Sequence, residues 1–275
     1  MISLLLCPIC ATSLKREGTA LKCECGHSYD FAKSGYINLL NPGKKNNARA
    51  GDSKEMIRAR SSFFASGAYG KIRSSLCDIV SRYAPSSPVI VDAGCGEGYY
   101  SNELAKSDTS SFVFGFDMSK FGTEHASKQA RAHNASNTFY SVSNIFALPL
   151  KDESCDVVVS MFAPVASDEF KRILRCGGIL VVGAAGVNHL DGLKSVIYED
   201  AYLNEENNLS YNGFELISRE KCDYVAEITG NDTISNLFTM TPYYHRTSLA
   251  DKKKLEDITS IETNISVDFF IFKRL

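Results

Sequence analysis

Val89-Ile90-Val91-Asp92-Ala93-Gly94-Cys95-Gly96-Glu97-Gly98-Tyr99-Tyr100 decides the fold: an apolar run ends in a glycine-rich turn and passes into a helix. The β-branched residues at its start favour extended chain. The glycines after them let the backbone approach a ligand and take conformations that a Cβ forbids. Downstream, Phe112–Asp117, Thr138–Val142, Cys155–Phe162 and Ile179–Ala184 read as further buried strands with helical stretches between them. That alternation predicts an α/β fold with a Rossmann-like doubly wound parallel sheet. Phe214–Ser218 or Cys222–Ile228 follows, then Ile265–Lys273, whose alternation reads as a paired or edge strand. Upstream, a helix is expected over 54–65, capped by Asp52 or Ser53. A second carries Ile72, Leu76, Ile79, Val80 and Tyr83 on one face and stops at Pro85-Ser86-Ser87-Pro88.

The glycine spacing discriminates between cofactors. A pyrophosphate seat calls for G-x-G-x-x-G, whereas Gly94, Gly96 and Gly98 are spaced G-x-G-x-G, with Tyr99 where a third dinucleotide glycine would fall. A cofactor without phosphates is favoured over a nicotinamide. About twenty residues on, Asp117 ends the second strand, placed to accept hydrogen bonds from two ribose hydroxyls. Together these two motifs resemble the class I S-adenosylmethionine-dependent methyltransferases. That resemblance places an adenine contact after the third strand, where Asn144 is the candidate, the alternative being a turn residue.

At 275 residues and 44% hydrophobic, the chain can bury one α/β core with a small accessory module to spare. No stretch approaches the roughly 18 apolar residues of a membrane span, and the start has no basic leader region. A cytoplasmic protein with no membrane partner is expected. Of nine cysteines, four crowd into residues 7–25. Cys7-Pro8-Ile9-Cys10, then Cys23, Cys25 and His27, match a closed tetrahedral zinc site in a segment too small to hold a core unaided. The zinc is read as structural, one ion, and five potential ligands compete for four positions, Cys25 being able to replace Cys23 or His27. The net charge of −2 conceals a +6 segment at residues 44–73, as a polyanion contact requires, although a solvated helix face gives the same count. The domains read as a zinc-binding β module over 1–40, linker and helices over 41–85, and the cofactor domain over 86–275.

A closer resemblance rests on Gly35-Tyr36-Ile37-Asn38-Leu39-Leu40, Gly51-Asp52-Ser53-Lys54-Glu55-Met56, Asp92 to Tyr100, Phe162-Ala163-Pro164, His189-Leu190 and Met240-Thr241-Pro242. With the cysteine pattern, these resemble the RlmA family of ribosomal RNA guanine-N1 methyltransferases across nearly the whole chain. The resemblance implies zinc on Cys7, Cys10, Cys23 and His27, with Cys25 outside the family pattern. It implies cofactor contacts from Asp92, Gly94, Gly96, Glu97, Gly98 and Asp117, and from Tyr69 and His189, whose bland alternatives are sheet packing and helix capping. It implies a hairpin of large-subunit ribosomal RNA as partner, and, from the family alone, a homodimer. Residues 43–50 carry fewer basic side chains than family linkers do. Guanine N1 must lose a proton on methylation; Asp52, Asp168 and Glu169 are the acceptor candidates by position. Met161-Phe162-Ala163-Pro164 stands where enzymes that methylate exocyclic amines carry an Asn/Asp-Pro-Pro-aromatic tetrad, which argues against that chemistry. Phe162 reads either as a stacking platform for a base or as core packing. The competing functions are a methyltransferase for a small molecule or protein, and a non-catalytic zinc and RNA-binding protein.

Overall fold

The structure, a computed structural model, describes residues 1–41, 43 and 51–275; Lys44, Lys45 and Arg49 of the basic segment lie outside them. Three short strands, β1 (Lys15–Glu17), β2 (Ala20–Lys22) and β3 (Ser28–Asp30), form an antiparallel sheet of their own. β4 (Ile37–Asn38) leaves that module and pairs parallel to β7 (Thr138–Val142) at one edge of the main sheet. Helices α1 (Lys54–Ala65) and α2 (Gly70–Tyr83) follow, and Ser53 caps α1 by accepting the Met56 N–H at 3.2 Å.

The main sheet contains β5 (Val89–Ala93), β6 (Phe112–Asp117), β8 (Cys155–Met161), β9 (Leu174–Ala185), β10 (Phe214–Thr229) and β11 (Ser260–Arg274) as well. Its order is β10-β11-β9-β8-β5-β6-β7-β4, parallel from β4 to β9 and antiparallel at β11 and β10. Helices α3 (Tyr99–Ser107), α4 (Lys120–Ala132), α5 (Ser167–Ile173), α6 (Asp191–Ile197), α7 (Asn231–Thr239) and α8 (Leu249–Lys253) complete the chain. One expectation changes, and another is decided between its two alternatives in favour of a paired strand. The pair of alternative strands at 214–218 and 222–228 is one strand, β10, with an irregularity between Leu216 and Ser218. The strand expected over 265–273 lies inside the sheet, bonded on both sides.

Period-two alternation sorts the side chains between two faces. Ile90, Val113, Val157 and Val181 pack with α2, α3, α6 and α7 through Ile72, Leu104, Leu193 and Leu237. Val89, Val91, Phe114 and Val158 point the other way, where Leu5, Leu14 and Leu21 of the N-terminal module meet them together with Phe170 of α5. A parallel sheet needs cover on both faces, and here the small module supplies part of that cover. Its attachment is reinforced by a bridge between Leu5 and Leu150. Among the described residues no helix is long and apolar enough to cross a membrane.

Candidate active site

The N-terminal knuckle is shaped by its own backbone: the Cys7 N–H donates to Thr12 O at 2.8 Å, and the Ala11 N–H to Cys7 O at 2.8 Å. A second turn, Cys23 to His27, closes through the Cys23 N–H donating to His27 O at 3.1 Å. The two turns bring the Sγ atoms of Cys7, Cys10 and Cys23 and a His27 ring nitrogen within 4.8 Å of one another. Cys10 Sγ lies 3.6 Å from Cys23 Sγ, and His27 Nδ1 lies 3.5 Å from Cys7 Sγ and 3.3 Å from Cys23 Sγ. Bonds of about 2.0 to 2.3 Å to a tetrahedral zinc would set such ligand atoms about 3.5 Å apart, so the donor set and spacing fit a structural zinc. The Thr12 hydroxyl, 3.2 Å from Cys10 Sγ, helps pull the Cys10 thiol down to about 5, towards the ligating thiolate. Cys25 is exposed and stands outside the cluster.

The second site lies over the carboxyl ends of the parallel strands. β5 is flanked by β6 on one side and β8 on the other, so the chain reverses its winding there, and a crevice opens where helices diverge to opposite faces. The cleft encloses about 1110 Å³, room for more than one drug-sized group. Its floor is the glycine turn. Gly94 and Gly98 have φ of 86° and 84°, and a Cβ on Gly98 would stand 2.7 Å from the Ala126 Cβ. Asp117 ties the turn to the end of β6: its Oδ2 accepts the Gly96 N–H at 2.9 Å and its Oδ1 the Ser119 N–H at 2.6 Å. A carboxylate has about four acceptor positions, so two remain for hydroxyls of a ligand. Burial raises the Asp117 carboxyl above its ordinary value, opposed by those amide hydrogen bonds.

Arg60 of α1 bridges two carboxylates on the rim, at 2.5 Å from Asp52 and 3.4 Å from Glu97. Burial pushes Glu97 up to about 7, with Arg60 pulling the other way. Asp92 lies beneath the turn rather than on the cleft surface, accepts the Ser101 hydroxyl, and is pushed up to about 7 by burial. Gly98 also shapes the turn from below, whereas Gly94, Gly96, Glu97 and Asp117 line the cleft. Asn144 lines it at the β7 end and closes its own turn, its Oδ1 accepting the Phe146 N–H at 3.0 Å. At the opposite end Tyr69 and His189 meet, Oη to Nε2, at 3.0 Å.

Of the acidic candidates, Asp52 lines the cleft and Asp168 does not; Asp168 is exposed in the first turn of α5. Glu169 accepts the Leu148 N–H at 2.6 Å and pairs with Arg172, so it fastens a loop. Phe162 is 44% exposed on the cleft wall, with φ of 53°, so its ring is not core packing. Arg60 escaped the sequence reading except as one charge in the basic segment. Asn204 and Tyr211, from a stretch without regular structure, also line the cleft, and no periodicity marks them.

Residues 86–241 match the family model described as Methyltransferase domain, and residues 5–48 the one described as RlmA, N-terminal. A Streptomyces fradiae protein named 23S rRNA (guanine(748)-N(1))-methyltransferase is 28% identical over 287 residues, spanning 100% of this chain and 98% of the relative. A putative 23S rRNA (guanine-N(1)-)-methyltransferase of Micromonospora griseorubida is 34% identical over 205 residues, 68% of this chain and 67% of the relative. A Bacillus subtilis (strain 168) protein with the same putative name is 27% identical over 281 residues, 98% of this chain and 96% of the relative.

Proposed function

The chain belongs to the methyltransferase-domain family and, within it, to the 23S rRNA (guanine-N1)-methyltransferases, and on that premise we propose that it methylates N1 of a guanine in a large-subunit rRNA hairpin. The observation that supports this best is the glycine turn tied to Asp117 at the reversal of the sheet, in a chain that also carries a zinc ribbon. S-adenosylmethionine, when bound, supplies a methyl group on a sulfonium open to direct displacement. The protein's part is alignment and exclusion of water. Asp117 takes the ribose with its two remaining acceptor positions, Asn144 the adenine, and the Gly94–Gly98 backbone the middle of the cofactor. Tyr69 lies at the far end. The target base enters beside Phe162, whose exposed ring offers a stacking surface. Asp52 takes the N1 proton as the methyl arrives, since it lines the cleft and Arg60 fixes its position. The zinc module helps grip the RNA. The protein acts in the cytoplasm, and as a homodimer, the latter on family resemblance.

Incubation with radiolabelled S-adenosylmethionine and unmodified large-subunit RNA, followed by nucleoside digestion, tests the reading. Label in 1-methylguanosine is expected, and Asp52→Asn should lower its rate about 100-fold. Label in another nucleoside would overturn the guanine-N1 assignment. No nucleoside label from protein that binds the cofactor would point to a small-molecule or protein substrate.

A further inference from the structure

Among the described residues Lys194 of α6 is the only buried lysine, at 0% exposed. Its Nζ donates to Tyr202 O at 3.2 Å and to Asn204 Oδ1 at 2.8 Å, and stands 5.0 Å from the ring centre of Tyr202 and 5.7 Å from that of Tyr243. Two oxygens and two ring faces are the company of an ammonium. Among the described residues no carboxylate pairs with it directly: Asp191, one turn earlier, spends its oxygens on Gly192 and Asn264. Burial lowers the Lys194 ammonium from its ordinary value, and Asp191 opposes that only from a distance. A lysine enclosed in this way is costly, and a methionine would fill the same space without that cost. The ammonium therefore holds something that apolar packing does not.

What it holds is a strap, residues 201–211, which runs without regular structure between α6 and β10. Asn204 fastens the strap to the chain just after β9: its N–H donates to Val187 O at 2.9 Å and its Nδ2 to Gly186 O at 2.7 Å. Asn207 Nδ2 donates to Ala185 O at 2.8 Å and to Asp268 of β11 at 3.2 Å. Leu209 and Tyr211 pack in the same apolar cluster as Val165, three residues beyond Phe162. The strap thus crosses the carboxyl end of β9, from Lys194 and Tyr243 to the turn that carries Phe162. Asn204, Leu209, Tyr211 and Tyr243 all line the cleft, several strands away from Asp117 and Asn144. We infer that Lys194 is a positioning residue for the RNA substrate: by holding residues 202–204 it sets the wall of the cleft against which the target guanine comes to rest. The inference rests on the function proposed above. The wall meets a base and not the phosphate backbone, because Glu199, Asp200, Glu205 and Glu206 are exposed along this segment and repel phosphates.

Methylation kinetics on large-subunit RNA, together with calorimetric titration of S-adenosylhomocysteine, test it. Lys194→Met should raise the KM for RNA about 10-fold, as for one lost hydrogen bond to a charged group, with kcat within about twofold. Its affinity for S-adenosylhomocysteine should match that of the wild type. The salt dependence of KM should keep its slope, because no phosphate contact is lost. Asn204→Ala, on the strap itself, should give the same split, and the double variant should be no worse than the more impaired single one. A lysine that served folding alone would lower the active fraction, so kcat would fall while KM stayed. That result overturns the inference, as do a flatter salt slope, equal weakening of S-adenosylhomocysteine, losses that multiply in the double variant, or unaltered kinetics. Wild-type protein that binds S-adenosylhomocysteine but labels no nucleoside overturns the proposed function, and the inference with it. Hydrogen exchange of the wild-type protein needs no variant: RNA should slow exchange in residues 201–211, and S-adenosylhomocysteine alone should not. Exchange there that RNA leaves unchanged excludes the wall.

Discussion

Asp92 shows how a single buried group can shape the pH response of the whole chain. In the fold it is 1% exposed, with the Ser101 hydroxyl donating to it, and burial raises its carboxyl from the model-peptide value of 3.8 to about 7. A carboxyl whose value rises on folding binds more protons in the native state than in the unfolded one between those two pH values. Stability on its account therefore falls as pH rises from about 4 to about 7 and is level above. Asp92→Asn should remove that slope and raise the midpoint of thermal unfolding by several degrees at pH 8, with little gain at pH 4. Melts across pH check it, and a wild-type curve without that decline would show that the loop solvates the carboxylate after all. The motif itself was legible because it is local: strand, glycines and helix start are adjacent in sequence. Arg60 was not, because its role depends on α1 lying over a turn that begins 34 residues later.

At the scale of elements, the zinc module is a piece of the core. Leu5, Leu14 and Leu21 are each fully buried against one face of the sheet, and full burial of such a side chain is worth roughly 1.5 to 3 kcal/mol. Loss of metal should cost several of these together. Chelation, or Cys10→Ser, is expected to lower the melting midpoint of the entire protein by 10 °C or so and to raise binding of a hydrophobic dye. A methyltransferase domain that melts unchanged while the module unfolds separately would refute this. The strands from β5 to β8 were readable to within a residue, since each is a short run rich in β-branched or aromatic residues and bounded by turn residues. β10 was not: Arg219, Glu220, Lys221 and Asp223 place charge on both of its faces. An edge strand open to water tolerates that, and tolerance erases the alternation on which the reading depends. α7 and α8 also went unforeseen. α7 carries Ile234, Leu237 and Phe238 at helical spacing within nine residues, whereas α8, at five residues, is too short to show a period.

For the molecule as a whole, the three successive segments of the sequence reading say nothing of how those parts depend on one another. The boundary near residue 40 falls beside β4, which is bonded into the main sheet. We propose a dimer on the resemblance alone, and light scattering at working concentration checks it: twice the 30.2 kDa chain mass is expected, and a monomer throughout would remove it. The covering role of the N-terminal module also bears on how such proteins can be recombined. A boundary drawn in sequence suggests that one relative's zinc ribbon could be grafted onto another's catalytic half. Here the ribbon's Leu5 meets Leu150, and Ile37 sits in register with Ser141. A graft would therefore succeed only when those facing positions are inherited with it, and the heritable unit is the interface rather than either stretch of chain.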